Sequence, residues 1–320
     1  MKPLLEVENL RMYFKTMRGY VKAVDDVSFD LGRNEALGLA GESGCGKTST
    51  ALTIIKLLPS NARIMGGRVT LGEESLLDLS DSQIRKKIRW KRISMVFQGA
   101  MNALHPIYSI GYQIREAIVK HEHVGKDEAG ERANKLLELV GIEAEKANRY
   151  PHELSGGMKQ RTVIAMALAC NPDIVIADEP TTALDVIVQA QVLNVMKDLR
   201  KRLDVSMLLI SHDLSMIAET CDVVAVMYAG KIVEYGKATS IFKESLHPYT
   251  QKLIAAFPSV LGPKIELSSI HGFPPDLLKP PSGCRFHPRC PSSTENCRKK
   301  EPTLIEVGKE RHRVACHLYG

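Results

Sequence analysis

Nothing in this 320-residue chain approaches the roughly 18 consecutive apolar residues that a membrane-spanning helix requires, so no transmembrane segment is expected. The opening run, MKPLLEVENL, carries an acidic residue where a signal peptide needs an unbroken apolar stretch, which points away from secretion and towards the cytoplasm. No charged tail is present either: the formal net charge of +6 is spread along the chain, and composition alone gives no argument for nucleic acid. The densest basic patch, Arg85, Lys86, Lys87, Arg89, Lys91 and Arg92, has nearly helical spacing and reads as a solvated helix face. Cysteine is sparse, with seven residues, and a disulfide framework is not expected in a cytoplasmic protein. Paired C-x2-C knuckles, the mark of common structural zinc sites, are missing as well.

What is present begins with GESGCGKT, Gly41 to Thr48, a complete G-x-x-x-x-G-K-[ST] loop. Gly41, Gly44 and Gly46 let successive backbone N–H groups face phosphate oxygens at the positive end of a helix starting near Lys47. Ser43, Cys45 and Ser49 complete the cradle, Lys47 can reach the β- and γ-phosphates, and Thr48 can place its hydroxyl on Mg2+. The apolar positions Leu52, Ile54, Ile55, Leu57 and Leu58 carry the helix towards Pro59. IVIADE, Ile174 to Glu179, is a short apolar run ending in two carboxylates, as in a strand buried on both faces of a parallel sheet with ligands at its carboxyl end. Asp178 is assigned to Mg2+ through water and Glu179 to the attacking water as general base. LSGGMKQR, Leu154 to Arg161, supplies Ser155 as helix cap and Gly156 and Gly157 as exposed donors, a second anion-binding helix terminus that one triphosphate does not need.

Taken in order, GESGCGKT, VFQ with Gln98, LSGGMKQR, IVIADE, ALD (Ala183 to Asp185) and ISHD (Ile210 to Asp213) resemble the ATP-binding-cassette (ABC) family. The resemblance implies an α/β P-loop cassette with a RecA-like core, an antiparallel β-subdomain and an inserted α-helical subdomain at about residues 99–169. It implies that the LSGG of one subunit closes over ATP held by another, with Asp185 at that seam. It makes His212 the switch histidine at the γ-phosphate and Gln98 a ligand of Mg2+ that also links the γ-phosphate to whatever docks outside. It places an adenine-stacking aromatic at Phe14, with Tyr13 beside it as the alternative; either reads equally well as a half-buried strand aromatic.

Residues 1–245 are expected to form the cassette and 246–320 a small irregular extension, because Pro274, Pro275, Pro280 and Pro281 cannot sit in a helix. LHPYTQKLIAAFPS, Leu246 to Ser259, and GCRFHPRCP, Gly283 to Pro291, resemble the C-terminal extension of oligopeptide/dipeptide importer ATPases, and PTTALDV resembles their D-type subunit. GAMNALHP after Gln98 departs from the acidic residue and proline expected there, in a segment that should face the membrane subunits. Cys284, Cys290, Cys297 and Cys316 fall in the tail with spacing C-x5-C-x6-C-x18-C, and resembled ATPases can carry a 4Fe–4S cluster here; zinc and unligated thiols are the alternatives. Cys45, Cys170 and Cys221 read as small core or loop residues.

The expected function is ATP hydrolysis energising a binding-protein-dependent importer of peptides or a related solute, at the cytoplasmic face of the membrane. The implied partners are a second ABC ATPase of F-type, two permease subunits and an extracytoplasmic solute-binding protein. A soluble ABC ATPase of DNA repair or translation is disfavoured by the single cassette and the HPYTQ tail. A metal-dependent nucleic-acid-binding tail is disfavoured because the tail lacks aromatics interleaved with a strong basic stripe.

Overall fold

A computed structural model describes residues 2–256, 270–308 and 311–320, and these cluster into two compact units. Unit 1 gathers Met1–Gly32, Ala36–Asp78 and Ile210–Gly320; unit 2 gathers Arg33–Glu35 and Leu79–Leu209. The tail therefore clusters with the first strands of the chain.

Unit 1 opens with β1 (Leu5–Thr16) and β2 (Gly19–Leu31), joined by a turn at Met17 and Arg18. They form the sheet order β2-β1-β4-β5 with β4 (Ala62–Leu71) and β5 (Glu74–Ser75), antiparallel throughout. Leu5, Val7, Leu10 and Met12 from β1 and Val24, Val27, Phe29 and Leu31 from β2 are buried, the inward half of an alternating pattern. Between them β3 (Ala36–Ala40) runs into the glycine-rich loop and α1 (Lys47–Ile54). That helix is capped at Ile55 and Lys56 turns left-handed (φ 49°), so it stops short of Leu57, Leu58 and the proline expected to end it.

The second sheet of unit 1 runs β11-β12-β10-β9-β3. Here β9 is Val223–Tyr228, β10 is Lys231–Lys237, β11 is Ile305–Glu306 and β12 is Arg313–Val314. β3 and β9 are parallel, and the strands beyond them antiparallel. Tail strand β12 pairs Val314 with Glu234 and Arg313 with Tyr235 of β10, so the small, largely irregular extension also covers a sheet edge. Helices α7 (Leu214–Thr220), α8 (Ala238–Lys243), α9 (Pro248–Ala255) and α10 (Glu295–Lys299) complete the unit. Of the run from Leu246 to Ser259, the last three residues lie outside the described residues. The proline-bearing stretch 271–283 contains neither helix nor strand, as proline demands.

Unit 2 carries the order β8-β7-β6, formed by β6 (Ile93–Val96), β7 (Ile174–Asp178) and β8 (Ser206–Ser211). β6 and β7 are parallel, and every residue of β7 and β8 is buried, as a strand covered on both faces requires. The segment from Gln98 to Ala169 is helical as expected, through α3 (Ile110–Glu122), α4 (Lys126–Leu139) and α5 (Gly156–Ala167) with short 3-10 turns. α6 (Val186–Leu203) follows β7. The basic patch is only partly the helix face expected of it. After α2 (Asp81–Gln83) a single π turn, Ile84–Ile88, exposes Arg85, Lys86 and Lys87, and then Arg89 is extended and Trp90 left-handed. Arg92 ends in an ion pair with Asp173.

Candidate nucleotide-binding site

The loop 41–48 has the backbone its glycines foretell. Gly41, Gly44 and Gly46 all lie at positive φ (146°, 78° and 109°). A β-carbon at Gly41 would stand 2.2 Å from the Met227 carbonyl oxygen, and one at Gly46 2.1 Å from that of Ala23. Two of the three are thus required by close approach as well as by conformation. Gly46 caps α1 in the left-handed conformation with no side-chain cap, so the first N–H groups of the helix face the loop. Lys47 is buried, its Nζ donating to the carbonyls of Gly41 (2.7 Å) and Glu42 (3.0 Å) and lying 3.6 Å from the buried Cys45 sulfur. Ser43, Gly44 and Thr48 are exposed, and Ser49 half-buried.

Elsewhere in unit 1, His212 is exposed directly after β8. Tyr13 and Phe14, both half-buried, are adjacent on β1. The Tyr13 hydroxyl donates to Asp25 at 2.6 Å, and burial followed by that bond pushes the phenol up to about 12. Asp25 also takes an ion pair from the buried tail residue Arg285; burial works against its charge, but the Tyr13 hydroxyl and Arg285 bring its carboxyl below the usual value.

In unit 2 the structure brings Gln98 and Glu179 together. Gln98 Nε2 donates to Glu179 Oε2 at 2.8 Å, and the Thr182 hydroxyl donates to the same oxygen at 3.2 Å. Asp178 is the buried last residue of β7, and Glu179 beyond it is left-handed (φ 45°) and half-buried. Ser155 caps α5, its hydroxyl accepting from Met158 N–H at 3.3 Å, with Ser155 and Gly156 exposed. Gly157 is buried, and a β-carbon there would lie 2.5 Å from Val188 Cγ1 of α6. Asp185 caps α6 by accepting from Val188 N–H at 3.0 Å, and Val186 and Ile187 beside it are 79% and 73% exposed.

Known proteins match the sequence that carries these residues. A family model described as ABC transporter matches residues 24–182, and one described as oligopeptide/dipeptide transporter, C-terminal region, matches residues 233–297. The dipeptide transport ATP-binding protein DppD of Bacillus subtilis is 46% identical over 99% of this chain and 95% of its own. The oligopeptide transport ATP-binding protein OppD of Salmonella typhimurium is 44% identical over 93% of this chain and 89% of its own. The chain belongs to the ABC transporter ATP-binding proteins. Among solved structures, the dimeric post-hydrolysis state of the ATP-binding cassette MJ0796 bound to ADP and Pi aligns with a TM-score of 0.65 at 26% identity, over 73% of this ABC ATPase and 98% of that chain. CbiO1 from Clostridium perfringens, part of the transporter complex cbiONQ, aligns with a TM-score of 0.67 at 26% identity, over 76% and 92%.

The cysteine site expected of this ABC ATPase does not come out as a formed metal centre. Among the described residues no three His, Cys, Asp or Glu side chains are gathered as a metal-binding group. Burial first, and then the neighbouring Cys297, Cys290 and Cys316, push the Cys284 thiol up to about 11, with the Phe286 backbone bond working the other way. Cys45, Cys170 and Cys221 are buried, as small core residues should be. No motif role falls to Glu42, Tyr249 and Arg289, through which the tail meets the loop, or to Arg285, which pairs with Asp25 of β2. Their one sequence signal is that both arginines flank the tail cysteines in GCRFHPRCP.

Proposed function

We propose that this ABC ATPase energises import of peptides through partner membrane subunits, working at the cytoplasmic face of the membrane. The observation that carries the reading is a loop at 41–48 already shaped for phosphate, in a chain whose residues 233–297 match the peptide-transporter tail. No helix among the described residues is long and apolar enough to cross a membrane, so transport requires other subunits. We take residues 1–245 as the cassette and 246–320 as the peptide-importer extension.

ATP phosphates would take over Lys47 from the Gly41 and Glu42 carbonyls, with Ser43, Gly44, Cys45, Gly46 and Ser49 lining the cradle and Phe14 or Tyr13 under the adenine. Mg2+ accompanies the nucleotide, with Thr48, Gln98 and Asp178 as its protein ligands. Glu179 is the general base for the attacking water, and His212 contacts the γ-phosphate. The Gln98 bond to Glu179 supports a latch: a glutamine that leaves the carboxylate for the nucleotide frees the base at that moment. Ser155, Gly156, Gly157 and Asp185 serve the ATP of a second cassette, of which an F-type chain is the proposed form, and the exposed Val186 and Ile187 support a seam there. Permease subunits and a solute-binding protein complete the importer.

Reconstitution in vesicles with permease and binding protein tests the reading. Labelled peptide should accumulate only with ATP, and peptide should stimulate turnover. Vigorous turnover with neither uptake nor stimulation would show a different cargo. A 4Fe–4S cluster, with zinc as the alternative, on Cys284, Cys290, Cys297 and Cys316 is supported by the resemblance of the tail to importer ATPases and by four thiols falling in its one short segment; binding would have to draw the sulfurs together and deprotonate them. Anaerobically purified protein should then be brown and lose its colour with Cys290→Ser, whereas a colourless preparation with stoichiometric zinc would select zinc.

A further inference from the structure

Glu42, the second residue of the phosphate-binding loop, is held at three points, and two of them belong to the tail. Its backbone N–H donates to the Tyr249 hydroxyl at 3.0 Å, its carbonyl accepts from Lys47 Nζ at 3.0 Å, and its carboxylate is gripped by Arg289 in a two-pronged pair. Arg289 Nη1 lies 2.7 Å from Oε2 and Nη2 3.1 Å from Oε1, the fork geometry in which a guanidinium fixes direction as well as charge. The guanidinium itself has little freedom. Its side chain is 5% exposed, and it also donates to the Tyr228 hydroxyl (3.3 Å) and to the carbonyls of His271 (2.9 Å) and Ile270 (3.2 Å). Burial alone would lower it, but the bonds to Glu42 and Tyr228 more than reverse that.

Behind the pair stands a buried aromatic cluster. Tyr249 lies 4.6 Å from Tyr228 between ring centroids, and Phe286 lies 5.4 Å and 5.2 Å from the two. All three are fully or almost fully buried. A loop with three left-handed glycines has little stiffness of its own, so its shape is set by what anchors its one acidic side chain. The anchored Glu42 carbonyl is also one of the two that hold Lys47. A donor array already in place loses less freedom when a ligand arrives.

We propose that Arg289 and Tyr249 are positioning residues for nucleotide binding, through which the C-terminal extension sets the shape of the phosphate-binding loop and hence its affinity for ATP. The proposal rests on reading 41–48 as the nucleotide site. It assigns the tail a part in the ATPase cycle that no motif residue supplies.

The test measures Mg–ATP binding to the full chain by calorimetry and turnover of the assembled complex for Tyr249→Phe, Arg289→Ala, Arg289→Lys, Glu42→Gln, the Glu42→Gln/Arg289→Ala pair and Lys47→Ala. Tyr249→Phe and Arg289→Ala should each weaken ATP binding about tenfold, the worth of one charge-assisted or buried hydrogen bond. KM for ATP should rise in parallel while kcat stays within about threefold, Arg289→Lys should recover part of the loss, and the double variant should bind no worse than Arg289→Ala. Tyr249→Phe removes one oxygen and Glu42→Gln keeps the shape of the side chain, so these two decide the matter if Arg289→Ala fails to fold. ATP affinity within twofold of wild type in Tyr249→Phe and Glu42→Gln, additive losses in the double variant, or a fall in kcat at unchanged KM would each overturn the clamp. Lys47→Ala separates the two layers: if it abolishes binding while the clamp variants bind normally, the loop assignment stands and the clamp falls, whereas normal binding by Lys47→Ala removes the loop assignment itself.

Discussion

Glu179 sits left-handed at the end of β7, a conformation non-glycine residues rarely adopt and one that aims the carboxylate away from the strand, where Gln98 and Thr182 both reach its Oε2. As the proposed general base it should tolerate Glu179→Gln for ATP binding but lose turnover about a hundredfold or more, because an amide takes no proton from water. Turnover within a few fold of wild type in the assembled complex would remove it from that role. Gly157 makes a second case where a single atom decides. The sequence reading expects an exposed donor at a helix start; the structure buries it against Val188, and a β-carbon 2.5 Å from Val188 Cγ1 must displace that side chain or part α5 from α6. Gly157→Ala should therefore cut turnover of the assembly by roughly tenfold or more while the isolated chain still binds ATP, and Val188→Ala in the same chain should restore most of it by opening the space. Steady-state phosphate release from the three proteins checks this, and an inactive double variant would mean that the glycine acts by its backbone alone. Motif residues were legible because phosphate chemistry dictates their type and spacing. Glu42, Arg289 and Tyr249 were not, since Glu42 pairs across 207 residues with Tyr249 and across 247 with Arg289, and no local pattern encodes it.

At the scale of elements, strand type was readable in β7 as a continuous apolar run, and the helical stretch between Gln98 and Ala169 and the antiparallel strands β1 and β2 match what the family resemblance implied. Tail strand β12 was hidden because two residues carry no period, and its place is set by partners far away. Arg313 lies over the Tyr235 ring at 4.1 Å and reaches Asp30 at 2.9 Å, while Arg311 pairs with the same carboxylate. Helix α9 offers a pH test. Its cap is the His247 imidazole, whose Nδ1 accepts from Tyr249 N–H at 3.0 Å and so must be unprotonated. Burial holds this imidazole down to about 4, with Glu234 working the other way. Because the folded value is depressed below the unfolded 6.5, the unfolded chain takes up the proton first, and stability present above pH 6.5 is lost as pH falls towards 4. The loss from this residue amounts to about 3 kcal/mol. Denaturant midpoints at pH 7 and 4.5 should diverge less for His247→Gln, whose side-chain oxygen can keep the cap; equal divergence would show that other groups carry the acid sensitivity.

For the whole molecule, the tail clusters in one unit with the opening strands and the phosphate-binding loop. Its proline-rich composition reports what the segment cannot form and not what it packs against. The Asp25–Arg285 pair and the Glu42–Arg289 pair join residues at the two ends of the chain within that unit. What the chain leaves exposed points outward: the Ser155-capped start of α5 and the apolar Val186 and Ile187 at the start of α6. In the shared site proposed above, these helix-start donors would act on an anion that another subunit supplies. The isolated chain should accordingly be a poor ATPase, with turnover about a hundredfold below the complete assembly, the loss measured when stabilising donors are withheld from developing negative charge. Under that proposal, rate per chain should climb with protein concentration or on adding the proposed F-type mate and the permease, because two cassettes would have to meet for turnover. Phosphate release followed across a dilution series, with molecular mass measured at each point, decides the matter: a strictly monomeric preparation turning over at the rate of the assembly would show that each chain completes its own site and would end the shared-site mechanism.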